Sequence, residues 1–121
     1  MKKFPPERIV CLTEETVETI YLLGEEKRIV GVTGYATRPK QVRNEKPRIS
    51  SFISANVDKI VDLEPDLILA FSDIQSEIVA NLIKKGQSVL CFNQRDIEGI
   101  FNMIQTISNL LDIKQKGINL I

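Results

Sequence analysis

The sequence predicts an α/β fold in which an open parallel sheet of four or five strands carries helices on both faces, as in a Rossmann-like lobe. Short apolar runs rich in Val, Ile and Leu alternate along the chain with segments of helical period. The runs are continuously apolar, as expected for parallel strands that are covered on both faces. A chain of 121 residues is also long enough to bury the core of one domain.

Four apolar runs are predicted strands, at residues 8–12, 29–33, 67–71 and 88–92, and residues 48–50 add a short fifth. Helical segments fill the gaps between them. Because strands and helices alternate, right-handed crossovers should make neighbouring strands parallel.

Residues that favour helix ends mark the helical segments. Predicted N-caps are Thr13, Asn56 and Asp96, and residues 72–75 fit a capping box. Gly24 and Gly86 are predicted stops. The last helix carries the clearest apolar stripe, which consists of Ile97, Ile100, Phe101, Ile104, Ile107 and Leu111.

Composition excludes several classes of function. The chain has 16 basic and 16 acidic residues and no basic cluster interleaved with aromatics, which argues against a nucleic-acid partner. Histidine, the commonest general base and transition-metal ligand, is absent. Cys11 and Cys91 each lie within an apolar run, so we expect two buried, reduced thiols.

The first residues are compatible with two compartments. Met1-Lys2-Lys3 resembles the charged start of a secretory signal, but Phe4-Pro5-Pro6 follows in place of an apolar stretch, so we expect no signal peptide. No apolar run is long enough to cross a bilayer. The sequence therefore leaves open a cytoplasmic protein or a chain trimmed of its leader.

Motifs that would indicate catalysis are missing. The chain has no GxGxxG after its first strand, no GxxxxGK[ST] phosphate loop and no GxSxG elbow. Glu14 and Glu15 are adjacent and point in different directions on a helix, so they form a poor acid–base pair. They either complement the helix dipole or contact a cation or a ligand amide. We therefore expect a protein that is not an enzyme and has no cofactor.

In open α/β sheets, ligands bind outside the carboxyl ends of the strands. The candidate ligand-binding residues in the loops at that edge are Thr13, Glu14, Glu15, Tyr35, Arg38, Ser51, Phe52, Phe71, Ser72, Asp73, Asn93 and Arg95. The rings of Tyr35, Phe52 and Phe71 suit a large, flat, mostly apolar ligand. The alternatives are that Phe52, Phe71 and Tyr35 are core residues beneath the loops and that Arg38 is simply solvated.

Nearly the whole chain resembles one known family. The matching segments are RIVCLT (8–13), TVETIYLLG (16–24), RIVGVT (28–33), KPR (46–48), NVDKI (56–60), LEPDLILAF (63–71) and KKGQSVL (84–90), with Tyr35, Pro39 and the helix from Asp96. Their order and spacing resemble the N-terminal lobe of the cobalamin, iron-siderophore and haem class of periplasmic substrate-binding proteins of ABC importers.

The resemblance implies a solute-binding lobe of a two-lobed protein that holds cobalamin or a ferric chelate as transported ligand. Residues 1–111 would form this lobe, and residues 112–121 would start the inter-lobe helix or form a truncated C-terminal segment. The partners would be the metal chelate, an ABC permease that Asp58 docks, and a second lobe missing from this chain. Tyr35, Phe52 and Phe71 match positions where cobalamin-binding members place aromatics against the ligand.

One departure concerns the loop after the first strand, where TEET (13–16) replaces a small polar loop and adds negative charge. This charge disfavours carboxylate-rich ligands, and without histidine we expect a pre-formed chelate and no metal site. The resemblance implies a periplasmic location, whereas the lack of a signal peptide in this sequence leaves a cytoplasmic location open. The alternatives are a cytoplasmic carrier of the same fold, an enzyme lobe of nitrogenase or chelatase architecture, and an interaction domain that forms a homodimer.

Overall fold

Five parallel strands form one sheet in the order β3-β2-β1-β4-β5. A computed structural model describes residues 2–50 and 56–121. The strands are β1 (Ile9–Cys11), β2 (Ile29–Thr33), β3 (Arg48–Ser50), β4 (Leu67–Phe71) and β5 (Val89–Phe92). Each lies within one residue of its predicted bounds, so the predicted fold class is confirmed.

Six α-helices and two 3₁₀ turns lie in the described ranges. The helices are α1 (Glu14–Leu22), α2 (Val42–Glu45), α3 (Val57–Asp62), α4 (Ser76–Lys84), α5 (Ile97–Leu110) and α6 (Lys114–Leu120), and the 3₁₀ turns are Glu26–Arg28 and Asp73–Gln75. The predicted caps Thr13, Asn56 and Asp96 accept hydrogen bonds from backbone N–H groups of the first turns. Helix α2 was not predicted because it carries no clear apolar stripe, whereas α6 lies within residues 112–121, which the resemblance assigned to the start of the inter-lobe helix or to a truncated C-terminal segment.

Alternation along the two central strands creates two cores. Ile9 and Leu69 pack with α1 and α5 on one face, whereas Val10 and Ile68 pack with α3 and α4 on the other. The predicted stripe of α5 is buried at Ile104, Ile107 and Leu111, but its first three members, Ile97, Ile100 and Phe101, are exposed. The sheet is therefore covered on both faces, as the apolar runs indicated.

The buried carboxylate of Asp66 fastens the N-terminal segment to the amino edge of the sheet. Its Oδ1 accepts from Lys3 N at 2.9 Å, and its Oδ2 accepts from Glu7 N at 2.9 Å and from Arg8 N at 3.0 Å. Burial raises the pKa of Asp66, but the three backbone donors outweigh it, so the net shift is downward.

Helix α6 packs closely against α5. A Cβ on Gly117 would overlap with the side-chain hydroxyl of Ser108, so only glycine fits at this contact. The buried Glu25 accepts from Lys116 Nζ of α6 at 2.8 Å and from Arg28 Nε at 2.7 Å. These contacts fix α6 on the lobe.

The two cysteines lie in different environments. Cys11 is fully buried in the central strand, and burial raises the pKa of its thiol to about 12. Cys91 is exposed, so the prediction that it is buried was wrong. Strand β5 forms the edge of the sheet, which a continuous apolar run does not reveal.

None of the helices in the described ranges is long and apolar enough to span a membrane. Within the same ranges, no three Cys, Asp or Glu side chains converge to hold a metal ion.

We predict that Asp66→Asn lowers the free energy of unfolding by about 2 kcal/mol at pH 7, because an amide cannot accept all three N–H bonds. The depressed pKa of Asp66 stabilises the fold above the ordinary aspartate pKa of about 3.9, and this contribution is lost as the pH falls through the folded-state pKa. The gap between the two proteins should therefore narrow below about pH 4 in urea unfolding experiments. Asp62→Asn, an exposed neighbour on α3, is the control; a pH-independent gap would contradict this role.

We also predict that the two thiols differ sharply in reactivity. With Ellman's reagent, Cys91 should react in the native protein, whereas Cys11 should react only after denaturation, because a buried thiol of raised pKa forms little thiolate. In Cys91→Ser the native reaction should disappear. Equal rates for both thiols in the native wild-type protein would be incompatible with this strand order.

Candidate functional site

A crevice begins where β1 and β4 lie side by side. From β1 the chain proceeds to β2 and β3 on one side, and then to β4 and β5 on the other. This reversal makes the carboxyl ends of β1 and β4 the topological switch point, where α/β sheets bind ligands. Loops with described residues leave β1, β2, β4 and β5 at this edge. The predicted site residues Ser51 and Phe52, which follow β3, lie outside the described residues.

The loop after β1 is a tightly capped helix start. Thr13 is buried, and its Oγ1 accepts from Thr16 N at 3.4 Å and lies 2.9 Å from Thr16 Oγ1. Glu14 is half-buried and Glu15 is exposed in the first turn of α1. The hydroxyl of Thr13 is therefore engaged within the protein, whereas the two carboxylates line the rim of the crevice.

The loop after β2 is bound to α1 by polar contacts. Thr37 Oγ1 donates to Glu14 Oε1 at 3.1 Å, and Arg38 Nε lies 3.2 Å from Glu18 Oε2 and 3.6 Å from Glu14 Oε1. Arg38 thus already has two carboxylate partners. Tyr35, in contrast, is 61% exposed and stands at the rim without burying its ring.

The end of β4 has an unusual backbone. Phe71 is half-buried, and the next residue, Ser72, is buried with a φ of 61°, a strained conformation for a residue other than glycine. Ser72 N donates to Phe92 O at 2.7 Å, and Ser72 Oγ accepts from Ile74 N at 3.2 Å. Asp73 is exposed beside them. These bonds direct the chain out of the sheet and into α4.

The predicted capping box at residues 72–75 is only half correct. Ser72 caps the turn, but the side chain of Gln75 does not return to Ser72 N. Its Oε1 accepts from Phe71 N at 2.9 Å, and its Nε2 donates to Leu12 O at 3.0 Å. Gln75 is fully buried between β1 and β4.

The end of β5 contributes Asn93 and Arg95, which are exposed and joined by a bond of 2.9 Å from Arg95 to Asn93 Oδ1. Beside them, α4 and β5 enclose a groove of about 410 Å³. The groove is lined by Ser72, Asp73, Ser76, Val79, Ala80, Ile83, Cys91 and Asn93. It is mostly apolar and reaches the crevice at its polar end.

A larger cavity of about 760 Å³ opens at the opposite edge of the sheet, between the N-terminal segment and α3. It contains none of the predicted site residues. Its polar lining is occupied by structural bonds, among them those of Asp66 and the bond from Lys2 Nζ to Pro65 O at 2.7 Å. We therefore assign the candidate site to the carboxyl edge.

Charge at the rim is mainly negative. Glu14, Glu15 and Asp73 lie at this edge together with two cations, Arg38, which is already paired with carboxylates of α1, and the exposed Arg95. Asp58 is exposed in the first turn of α3, which follows the loop after β3. An anionic ligand would meet repulsion here, and a neutral or amide-bearing ligand would find acceptors.

Sequence reasoning missed three residues that organise this edge, namely Gln75, Glu18 and Thr37. Gln75 was predicted only as part of a capping box. Glu18 lies in the segment 16–24 that resembles the family, but no role was predicted for it. A sequence pattern can place a polar residue near a helix start, but it does not reveal which strand its side chain reaches.

Comparison with known proteins places the chain among binding proteins. The sequence profile described as "Periplasmic binding protein" matches residues 9–121. An uncharacterized ABC transporter substrate-binding lipoprotein of Bacillus subtilis is 30% identical over 98% of this chain and 38% of its own length. A vitamin B12-binding protein of Vibrio cholerae is 29% identical over 89% of this chain and 39% of its own length. The chain thus spans about two fifths of these relatives.

Solved structures agree in fold. The crystal structure of the periplasmic vitamin B12 binding protein of Vibrio cholerae superposes with a TM-score of 0.86 at 27% identity, covering 97% of this chain and 46% of that protein. A periplasmic heme binding protein from Pseudomonas aeruginosa gives a TM-score of 0.86 at 19% identity over 94% of this chain and 41% of its own, which is a likeness of fold alone.

We predict that Tyr35→Ala changes the free energy of unfolding by less than about 0.5 kcal/mol, because its ring is mostly solvent-exposed. The matched core change Ile20→Ala should cost about 2–5 kcal/mol. Urea unfolding monitored by circular dichroism measures both. If Tyr35→Ala destabilised the protein as strongly as Ile20→Ala, Tyr35 would be a packing residue and not part of a ligand rim.

Proposed function

The chain belongs to the periplasmic binding protein family, and we propose on this premise that it is the N-terminal ligand-binding lobe of an ABC-type import system for a corrinoid or ferric chelate. The observation that carries the proposal is the placement of aromatic rings at the switch point. Tyr35 follows β2 and Phe71 ends β4, the two strands that flank β1. Rings on both sides of a crevice suit a broad, flat, largely apolar ligand.

The charge at the rim favours a corrinoid within this ligand class. The carboxylates of Glu14, Glu15 and Asp73 can accept hydrogen bonds from peripheral amides such as those of a corrin. The same carboxylates repel a ligand with free carboxylates, such as haem; Arg38 is already paired, and Arg95 can balance only one of the three. A vitamin B12-binding relative at 29% identity supports the same choice.

A non-catalytic role is supported at the level of the family, which consists of binding proteins. In the described part of the candidate site, the hydroxyl groups that follow β1 and β4 are engaged in caps. Thr13 and Ser72 cap the first turns of α1 and of the 3₁₀ turn before α4. The described part of the edge is therefore suited to holding a ligand.

The proposed partners are a second lobe and a permease. Asp58 is exposed and would dock a basic group of the permease, the role implied by its match to the family. Helix α6 would begin the connection to the second lobe, and Gly117 and Lys116 fix its start on α5 and on Glu25, which follows α1. Ligand would then be held between this edge and the second lobe.

The proposal is tested by titrating the 121-residue chain, and the longer gene product where one exists, with cyanocobalamin, hemin and a ferric hydroxamate. We expect a change in the visible spectrum with cyanocobalamin at lower concentrations than with hemin. The single lobe should bind more weakly than a two-lobed protein, because half of the enclosing surface is missing. Failure of all three ligands to bind the two-lobed protein, or turnover of any of them, would overturn the proposal.

Within that titration, Tyr35→Ala and Phe71→Ala should each weaken cyanocobalamin binding by roughly 10-fold, or about 1.4 kcal/mol, through loss of ring contact. Phe52→Ala is expected to act in the same way. Leu22→Ala is the matched control, because Leu22 is 62% exposed but lies at the far end of α1. An equal loss of affinity in all four variants would speak against an aromatic rim.

A further inference from the structure

The buried amide of Gln75 occupies the place of a missing rung between the two central strands. The ladder of β1 and β4 runs through the pairs Ile9–Leu67, Val10–Ile68 and Cys11–Leu69, and Leu12 N donates to Leu69 O at 2.9 Å. In a regular parallel ladder the next bond would join Phe71 N to Leu12 O. Gln75 lies between these two groups instead.

Both ends of the amide are used. Gln75 Oε1 accepts from Phe71 N at 2.9 Å, and Gln75 Nε2 donates to Leu12 O at 3.0 Å. The side-chain amide of glutamine carries, on one carbon, a carbonyl oxygen that accepts and an NH2 group that donates, as the peptide group does with its C=O and N–H. It therefore continues the hydrogen bonding of the sheet while holding the two strands one amide farther apart.

Hydrogen bonds between β4 and β5 keep the end of β4 away from β1. Beyond Phe71, the chain stays with β5 through the pair Phe71–Phe92 and the bond from Ser72 N to Phe92 O at 2.7 Å. On the β1 side, Leu12 leads directly into the Thr13 cap of α1. The two strands therefore diverge at the amide, and the rims of the crevice, Phe71 and the first turn of α1, begin there.

We propose that Gln75 is a positioning residue that holds the ligand crevice open by inserting its side-chain amide between the ends of β1 and β4. The expected effect of Gln75 on ligand binding rests on the proposed function. The inserted amide, which we call the wedge, is present in the lobe without any ligand. Without the amide, Phe71 N–H and Leu12 C=O can close the missing rung and draw Phe71 toward α1. Glutamine is needed because asparagine is shorter and a carboxylate offers no donor to Leu12 O.

The wedge is tested first without any ligand, by NMR couplings across hydrogen bonds. In the wild-type protein, Phe71 ¹⁵N should couple to the side-chain ¹³Cδ of Gln75 and not to Leu12 ¹³C′. In Gln75→Leu, a coupling between Phe71 ¹⁵N and Leu12 ¹³C′ should appear as the rung closes. A Phe71–Leu12 coupling already present in the wild-type protein would overturn the proposal.

Ligand affinity then separates a positioning role from a purely structural one. Gln75→Leu should weaken cyanocobalamin binding at least about 10-fold, while the urea midpoint changes by less than about 0.5 M, because the closed rung satisfies both backbone groups. Gln87→Leu, the same change at the opposite edge, should leave affinity unaltered. If Gln75→Leu and the wild type bind cyanocobalamin with equal affinity, the proposal for Gln75 is overturned. If the Phe71–Leu12 bond forms in Gln75→Leu but the wild type does not bind the ligand, only the proposed function is overturned.

Gln75→Glu supplies a rescue that a structural role would not produce. Protonated glutamate has one donor and one acceptor and can replace the amide, whereas its carboxylate cannot donate to Leu12 O. Burial favours the neutral acid, so affinity lost at pH 8 should return as the pH falls toward 5. Wild type and Gln75→Leu measured over the same range correct for Glu14, Glu15, Asp73, Cys91 and Arg95, which face this edge from α1, the 3₁₀ turn, β5 and its loop. The absence of recovery in Gln75→Glu would contradict the wedge.

Discussion

The fold depends on two central strands whose side chains are buried on both faces. Ile9 and Leu69 pack toward α1 and α5, and Val10 and Ile68 toward α3 and α4. Because neither face of β1 or β4 is exposed to water, helices must cover both faces of the sheet. Each connection between parallel strands therefore returns from the carboxyl edge to the amino edge of the sheet. This constraint brings the helix starts and loop ends that could hold a ligand to the carboxyl edge of the sheet.

Polar groups have different roles at the two edges of the sheet. At the amino edge, Asp66 gathers three backbone N–H groups and fastens the N-terminal segment, so polar groups there are used for stability. At the carboxyl edge, Ser72 has a positive φ and Gln75 interrupts the ladder, while Tyr35 remains exposed. The strained Ser72 and the interrupted pairing thus lie side by side at the edge where we propose that the ligand binds.

The strands and most helices could be predicted because their signals are local. Continuous apolar runs define β1, β2, β4 and β5, and Thr13, Asn56 and Asp96 mark helix starts with their own side chains. The exposure of Cys91 could not be predicted, since an edge strand and a central strand have the same apolar pattern. The role of Gln75 was also beyond sequence reasoning, because its partner Leu12 is 63 residues distant and the contact depends on how two strands separate. Phe52, the third ring of the predicted rim, lies outside the described residues.

The exposed thiol of Cys91 has a practical consequence. It lies two residues before Asn93, in the groove that reaches the crevice, while the other cysteine is sealed inside the sheet. An environment-sensitive fluorophore could therefore be attached at one defined atom without engineering. The natural sequence would then act as an optical sensor, whose emission reports the arrival of a solute beside β5.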